Sequence, residues 1–79
     1  MAVRAYVLIQ TDMGKAATVA ASVREIPGVD SCDSVTGHYD VIARATTETV
    51  EELGRVVVTR IQMVDGISRT MTCPIVTEY

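Results

Sequence analysis

The chain opens on a two-residue alternation. In residues 2–11, AVRAYVLIQT, Val3, Ala5, Val7 and Ile9 alternate with Arg4, Tyr6, Leu8 and Gln10, which is the period of a β-strand. Both sets contain apolar residues, and a strand with two apolar faces is covered on both sides. Tyr6 and Leu8 are therefore expected to meet something other than the domain's own helices. Asp12, Met13 and Gly14 break the pattern. From Lys15 to Ile26 the spacing changes to three and four, placing Ala16, Val19, Ala20 and Val23 on one face of an amphipathic helix. Pro27 and Gly28 end it, since the residue before proline avoids helical geometry and glycine takes the turn at little steric cost.

Residues 29–36, VDSCDSVT, form a polar and weak strand pattern of the kind found at a sheet edge. A short Gly-containing connection, Gly37 to Asp40, leads into VIARA, residues 41–45, and the two runs read as a hairpin. Thr46 or Thr47 is expected to cap a second helix, with Glu48, Glu51 and Glu52 in early turns where carboxylates suit the helix dipole. Val50, Leu53, Val57 and Ile61 form its expected buried stripe. Gly54 and the run Val56-Val57-Val58 lower its intrinsic propensity, so tertiary packing must hold it. Asp65-Gly66-Ile67 turns the chain into a last strand, Ser68 to Thr77. Pro74 within it cannot donate to a ladder and places that strand at an edge.

Ile26-Pro27-Gly28-Val29-Asp30 before the second strand is echoed by Val64-Asp65-Gly66-Ile67-Ser68 before the fourth. Two strand–helix–strand halves with right-handed crossovers make an α+β, ferredoxin-like βαββαβ fold, a four-stranded antiparallel sheet with two helices on one face. The other face is left bare. It should include Tyr6 and Leu8 and is the expected seat of a partner subunit.

Length and composition sharpen that expectation. The 79 residues support a single domain over 1–79, and one this small buries only about 60–65% of its unfolded surface. Yet 48% of the residues are hydrophobic, with no Trp or Phe, more apolar material than one small core hides. Subunit contacts should absorb the surplus. A net charge of −3 with seven scattered Lys and Arg gives no electrostatic footprint for nucleic acid, and Tyr6 alone is no stacking platform for RNA. Cys32 and Cys73 stand singly, without the close pairing of a zinc site or a redox CxxC motif. With no secretory signal pattern they point to a reduced, cytoplasmic protein. No stretch approaches the roughly 20 apolar residues of a membrane span.

Little in the chain carries catalysis. His38 has no cysteine or serine beside it in a recognisable catalytic motif. Asp30, Asp33 and Asp40 flank the hairpin, where paired acids can bind metal or share protons, but protective charge at a sheet edge accounts for them. No metal and no cofactor is expected, and no Gly-rich phosphate loop is present. The most informative stretch is Thr36-Gly37-His38-Tyr39-Asp40. A glycine lets backbone N–H groups approach an anion, a carboxylate receives an ammonium, and a tyrosine offers an apolar wall with a polar tip. Together they suit a zwitterion. The same residues also make an ordinary hairpin turn, with Gly37 supplying a positive φ and Asp40 bonding nearby backbone. Thr70 and Thr72 share one face of the last strand, where their hydroxyls could bind a carboxylate, although strand propensity explains threonine equally well.

AYVLI in the first strand, the PGV turn, the TGHYD hairpin, the DGI turn and the closing SRTMT strand together resemble the effector-binding and oligomerisation domain of the leucine-responsive and asparagine-operon regulator family. This is the regulation-of-amino-acid-metabolism domain, and the resemblance covers essentially the whole chain. It implies sheet-to-sheet dimers, assembly of dimers into rings, and amino-acid effectors held between subunits. Full-length members carry a DNA-binding helix-turn-helix for which these residues leave no room, so a stand-alone module is expected, with mixed assembly with full-length regulators as a further option. Carried over, the family's Gly-x-Tyr/Asp-Asp hairpin falls on Gly37, His38, Tyr39 and Asp40. The Gly37 backbone would approach the effector and Asp40 would face its ammonium, with Thr70 and Thr72 as a second polar set. His38 occupies a variable position.

The leading expectation is thus a homo-oligomeric amino-acid sensor acting in transcriptional or metabolic regulation, with no catalytic step. A small dimeric ferredoxin-like enzyme would need polar residues between helices and sheet, where these stripes are Ala, Val, Leu and Ile. A purely structural assembly adaptor is the third reading. The ACT domain, a neighbouring amino-acid-binding family of the same topology, would instead place a ligand at Asp12 to Gly14.

Overall fold

Alternation along β1 (Val3–Thr11) makes it the spine of the sheet. The computed structural model describes residues 2–77, with the side chains of Val56 and Val57 outside that description. After β1 come α1 (Ala16–Arg24), β2 (Val29–Ser34), β3 (Val41–Thr47), a second helix α2 (residues 50–62) and β4 (Ile67–Pro74). The four strands lie in the order β2-β3-β1-β4, antiparallel throughout. This is the ferredoxin-like βαββαβ arrangement, with β2 and β4 at the two edges as their polar and proline-containing sequences require.

Pairing sets Ala5, Val7 and Ile9 opposite Ala45, Ala43 and Val41, and all six are buried. Val19, Ala20 and Val23 of α1 and Leu53 and Ile61 of α2 close over this face, joined by Cys32 from β2. Each fully buried Val or Ile contributes about 1.5–3 kcal/mol relative to an exposed one. The alanines of β3 keep the centre of the sheet thin under the helices. The turn into β4 packs tightly against α1. A Cβ at Gly66 would stand 3.1 Å from the Cβ of Lys15 and 3.2 Å from a Val19 methyl, at a φ of +98°.

The second helix starts later than the sequence pattern places it. Thr46 and Thr47 continue β3, paired with Arg4 and Val3, so neither is the cap. Thr49 caps instead, its Oγ1 accepting the Glu52 N–H at 3.1 Å. Glu52 reaches back past the cap to the Glu48 N–H at 3.3 Å, so the helix start is tied from both sides although the acceptor serves the residue before the cap rather than the cap itself. The later start leaves Val50 in the first turn, 65% exposed, and the buried stripe begins at Leu53. Val57, the third expected member, has a side chain outside the described ones. The helix is α-helical over Val50–Glu52, π-helical over Leu53–Val58 and α-helical again over Thr59–Gln62. In a continuous α-helix, at about 100° per residue, Leu53 and Ile61 would face directions about 80° apart. The wider i→i+5 turn rotates less per residue and brings both onto the sheet, where they are buried.

Tyr6 and Leu8 alternate away from the helices. Register aligns Tyr6 with Arg44 and Cys73, and Leu8 with Ile42 and Met71, so these residues share the uncovered face. Tyr6 is 41% and Met71 49% exposed. The Arg44 guanidinium carbon stands 5.7 Å from the Tyr6 ring centroid, a cation–π distance. Among the described residues no helix is long and apolar enough to cross a membrane.

Cys32 is the one core side chain whose ionisation tests the packing. Burial pushes its thiol pKa up, an effect that Arg24 opposes and Asp33 reinforces. The folded protein therefore holds the neutral thiol at pH values where the unfolded chain begins to lose its proton. The stability this provides is complete below the ordinary thiol pKa of about 8.5 and is lost as pH rises above it. Urea denaturation at pH 7.5 and 9.5 should show a larger loss for wild type than for Cys32→Ala; equal losses would contradict this account of the buried thiol.

Candidate functional site

The hairpin between β2 and β3 is fastened to the end of β1. The Val35 N–H donates to the Asp40 carbonyl at 2.8 Å and closes the loop, while the Asp40 N–H donates to the Ile9 carbonyl at 2.9 Å. The Asp40 Oδ2 accepts the Thr11 N–H at 2.8 Å and the Thr11 hydroxyl at 3.2 Å. The Gln10 side-chain amide donates to the His38 carbonyl at 2.7 Å. Two successive residues of β1 thus hold two residues of the hairpin. The register of β1 with β4 shifts between Gln10 and Thr11, a bulge of the kind that re-aims groups beside functional sites.

Gly37 sits at a φ of +137° with nothing within 4 Å of where a Cβ would stand. Backbone conformation demands the glycine, and the approach to it is open. Tyr39 leaves the loop along the uncovered sheet face, its hydroxyl 3.7 Å from the sulfur of Met71, which pairs with Leu8. The residues 35–40 carry one carboxylate, that of Asp40, and no Lys or Arg, so the charge of the loop is a single negative one and its donors are backbone N–H groups.

Thr36, Gly37, His38, Tyr39 and Asp40 are therefore brought together, with Thr36 and His38 exposed. Thr70 and Thr72 are not part of that cluster. They pair with Ile9 and Val7, hence lie half-buried on the helix side of edge strand β4, on the opposite face from the Tyr39–Met71 contact. Gln10, Thr11 and Met71 are the neighbours that the sequence pattern did not single out. Their only signal is register across β1, which a linear pattern does not carry. Around Asp12 to Gly14 the chain forms a closed turn: the Asp12 N–H donates to the Gly66 carbonyl at 2.7 Å and the Lys15 N–H to the Asp12 carbonyl at 3.0 Å.

Two shallow grooves lie elsewhere, one of about 360 Å³ along β2 beside Arg24 and one of about 600 Å³ bounded by Arg4, Asp30, Ser31, Arg44 and Thr46. Neither includes a hairpin residue. Between helices and sheet, Thr47 is the sole buried polar side chain among the described residues, and its hydroxyl donates to the Thr49 carbonyl at 2.8 Å. No group of three His, Cys, Asp or Glu that could hold a metal occurs among the described residues.

Asp40 fastens the loop to β1 through its side chain. A hydrogen bond to a charged group contributes about 1.5–3 kcal/mol, so Asp40→Ala should lower the free energy of unfolding by about that much. Asp40→Asn, which keeps an acceptor oxygen, should cost clearly less. Chemical denaturation of both variants is the check, and an Asp40→Ala protein as stable as wild type would contradict the fastening.

The family described as the Lrp/AsnC ligand binding domain matches residues 4–79, and the chain belongs to that family. Among curated proteins it is 31% identical over 71 residues to an uncharacterized HTH-type transcriptional regulator of Pyrococcus horikoshii, a match covering 86% of this chain and 47% of that protein. The chain thus spans about half the length of the curated relatives it matches. The crystal structure of TTHA0845 from Thermus thermophilus is similar at a TM-score of 0.91 and 34% identity, over 98% of this chain and 96% of that one. A Neisseria meningitidis transcriptional regulator, solved as a complex with L-Met, shares the fold at a TM-score of 0.83 and 23% identity, over 96% of this chain and 51% of that one.

Proposed function

We propose that this member of the Lrp/AsnC ligand-binding family is an oligomeric sensor of an amino acid or a closely related zwitterion, with the ligand held at the 36–40 hairpin between subunits. One observation carries the reading: a glycine-opened loop with a single carboxylate, anchored by four hydrogen bonds to β1 and running out through Tyr39 onto the uncovered sheet face. A site built on that loop feels both a ligand and a neighbouring subunit. The L-Met complex of the Neisseria regulator supports the ligand class.

In this reading the Gly37 backbone receives the ligand's carboxylate and Asp40 its ammonium. Tyr39 forms the wall. Thr36 and His38 flank the opening. Thr70 and Thr72, on edge strand β4, are the contacts offered to a ligand that reaches around the sheet edge. A second copy of the chain covers Tyr6, Leu8, Ile42, Met71 and Cys73, an apolar centre with Arg4, Arg44 and Gln10 around it, which is the anatomy of a protein interface. Dimers then assemble further. The matching regulators carry about as much chain again, and mixed assembly with such a regulator is the route by which the module would influence transcription in the cytoplasm without itself touching DNA. The apolar interior between helices and sheet favours sensing over catalysis.

A thermal-shift screen of the common amino acids, followed by calorimetric titration of any that shifts the melting point, tests the proposal. A ligand at a hundred times its Kd should stabilise by about 2.7 kcal/mol. Selective stabilisation by one or a few amino acids, lost in Asp40→Asn while that variant stays folded, is the expected result. No response to any amino acid at millimolar concentration would overturn the sensor reading in favour of an assembly adaptor.

A further inference from the structure

β2 is an edge strand, and its free side can be read from its register. Val35 donates to Asp40 across the hairpin, and the β2–β3 pairing continues through Asp33 with Ile42 and Ser31 with Arg44. Backbone groups alternate in direction along a strand. Residues 31, 33 and 35 therefore turn theirs toward β3, and Cys32 and Ser34 turn theirs outward. Such a row is a template for a strand from another molecule.

The outward carbonyl of Cys32 is already taken. It accepts two hydrogen bonds from the Arg24 guanidinium, from Nε at 3.0 Å and Nη2 at 2.7 Å. Arg24 is the last residue of α1, and its side chain runs from the helix layer down to the strand edge, where it walls the groove of about 360 Å³ lined also by Val29, Asp30, Ser31 and Asp33. A planar guanidinium donating through two nitrogens to one carbonyl is a clamp that a flexible ammonium does not reproduce.

We propose that Arg24 guards the β2 edge against strand-to-strand addition of a second copy of this chain, leaving the uncovered sheet face for productive assembly. A second copy is the fitting occupant because two β2 edges are self-complementary. Paired antiparallel about a two-fold axis at residue 33, Cys32 and Ser34 of one molecule would exchange hydrogen bonds with Ser34 and Cys32 of the other. That exchange needs the carbonyl that Arg24 holds. The same register sets Asp33 against its own copy, a like-charge pair directly opposite, which disfavours pairing further. Unguarded, an edge contact joined to a sheet-face contact would link dimers onward, one two-fold interface alternating with the other, into assemblies larger than the dimer.

The test is sedimentation velocity and light scattering of wild type, Arg24→Ala and Arg24→Lys over a range of concentrations, with circular dichroism to confirm folding. Arg24→Ala should grow with concentration to several times the wild-type mass, and Arg24→Lys, which keeps the charge but not the fork, should grow less. Adding Ser34→Pro, which deletes an outward N–H without touching the β3 ladder, should abolish the growth. Should Arg24→Ala fail to fold, Arg24→Lys against wild type decides. Folded variants that keep the wild-type mass throughout, or growth that persists with Ser34→Pro, would overturn the proposal. Should wild type prove monomeric, the sheet-face dimer alone is contradicted, and the edge proposal then predicts an Arg24→Ala dimer of twice the wild-type mass that Ser34→Pro returns to monomer.

Discussion

Two helices can cover one face of a four-stranded sheet, and β1 is apolar on both. Ala5, Val7 and Ile9 lie under α1 and α2, while Tyr6 and Leu8, aligned with Ile42, Met71 and Cys73, stay on the other side with no helix to meet them. A small domain has only a narrow margin of stability, so an apolar sheet face of this kind is best satisfied by a second molecule. The edges must then be kept from competing for that role. β4 carries Pro74, and β2 carries acidic side chains and the Arg24 clamp on Cys32.

The same spine links assembly to the candidate site. Gln10 and Thr11 are the residues with which β1 leaves the sheet, and they hold His38 and Asp40. Tyr39, between these two anchored residues, projects onto the face where Leu8 and Met71 lie. A molecule bound at the hairpin therefore adjoins the surface assigned to the partner subunit. In the proposed function, sensing and oligomerisation would draw on one structural feature, the end of β1, without a long path between sites.

Much of this is legible from the sequence because period is a local property. The alternation of β1, the α1 stripe of Val19, Ala20 and Val23, and the turns at Pro27-Gly28 and Asp65-Gly66 require only neighbouring residues. What the pattern misses are properties set by pairing. Thr46 and Thr47 have good cap chemistry, yet β1 extends far enough to keep both in the ladder and the cap falls to Thr49. Leu53 and Ile61 fall on one broad helical face by spacing alone, but nothing local marks the π-helical segment that begins at Leu53, across which both stay buried. Gln10 and Thr11 look like the tail of a strand, since nothing local marks them as the hairpin's anchor. Thr70 and Thr72 do share one face of β4, but which face depends on their register with Val7 and Ile9.

Sedimentation equilibrium of the purified wild-type protein from low to high micromolar concentration tests the central claim most directly, since the whole account turns on a sheet face that requires a partner. The account predicts a mass at least twice that of the chain, falling back toward a single chain when Leu8 is replaced by Arg in a protein that still folds. A single-chain mass across the entire range, with the fold intact, would contradict it.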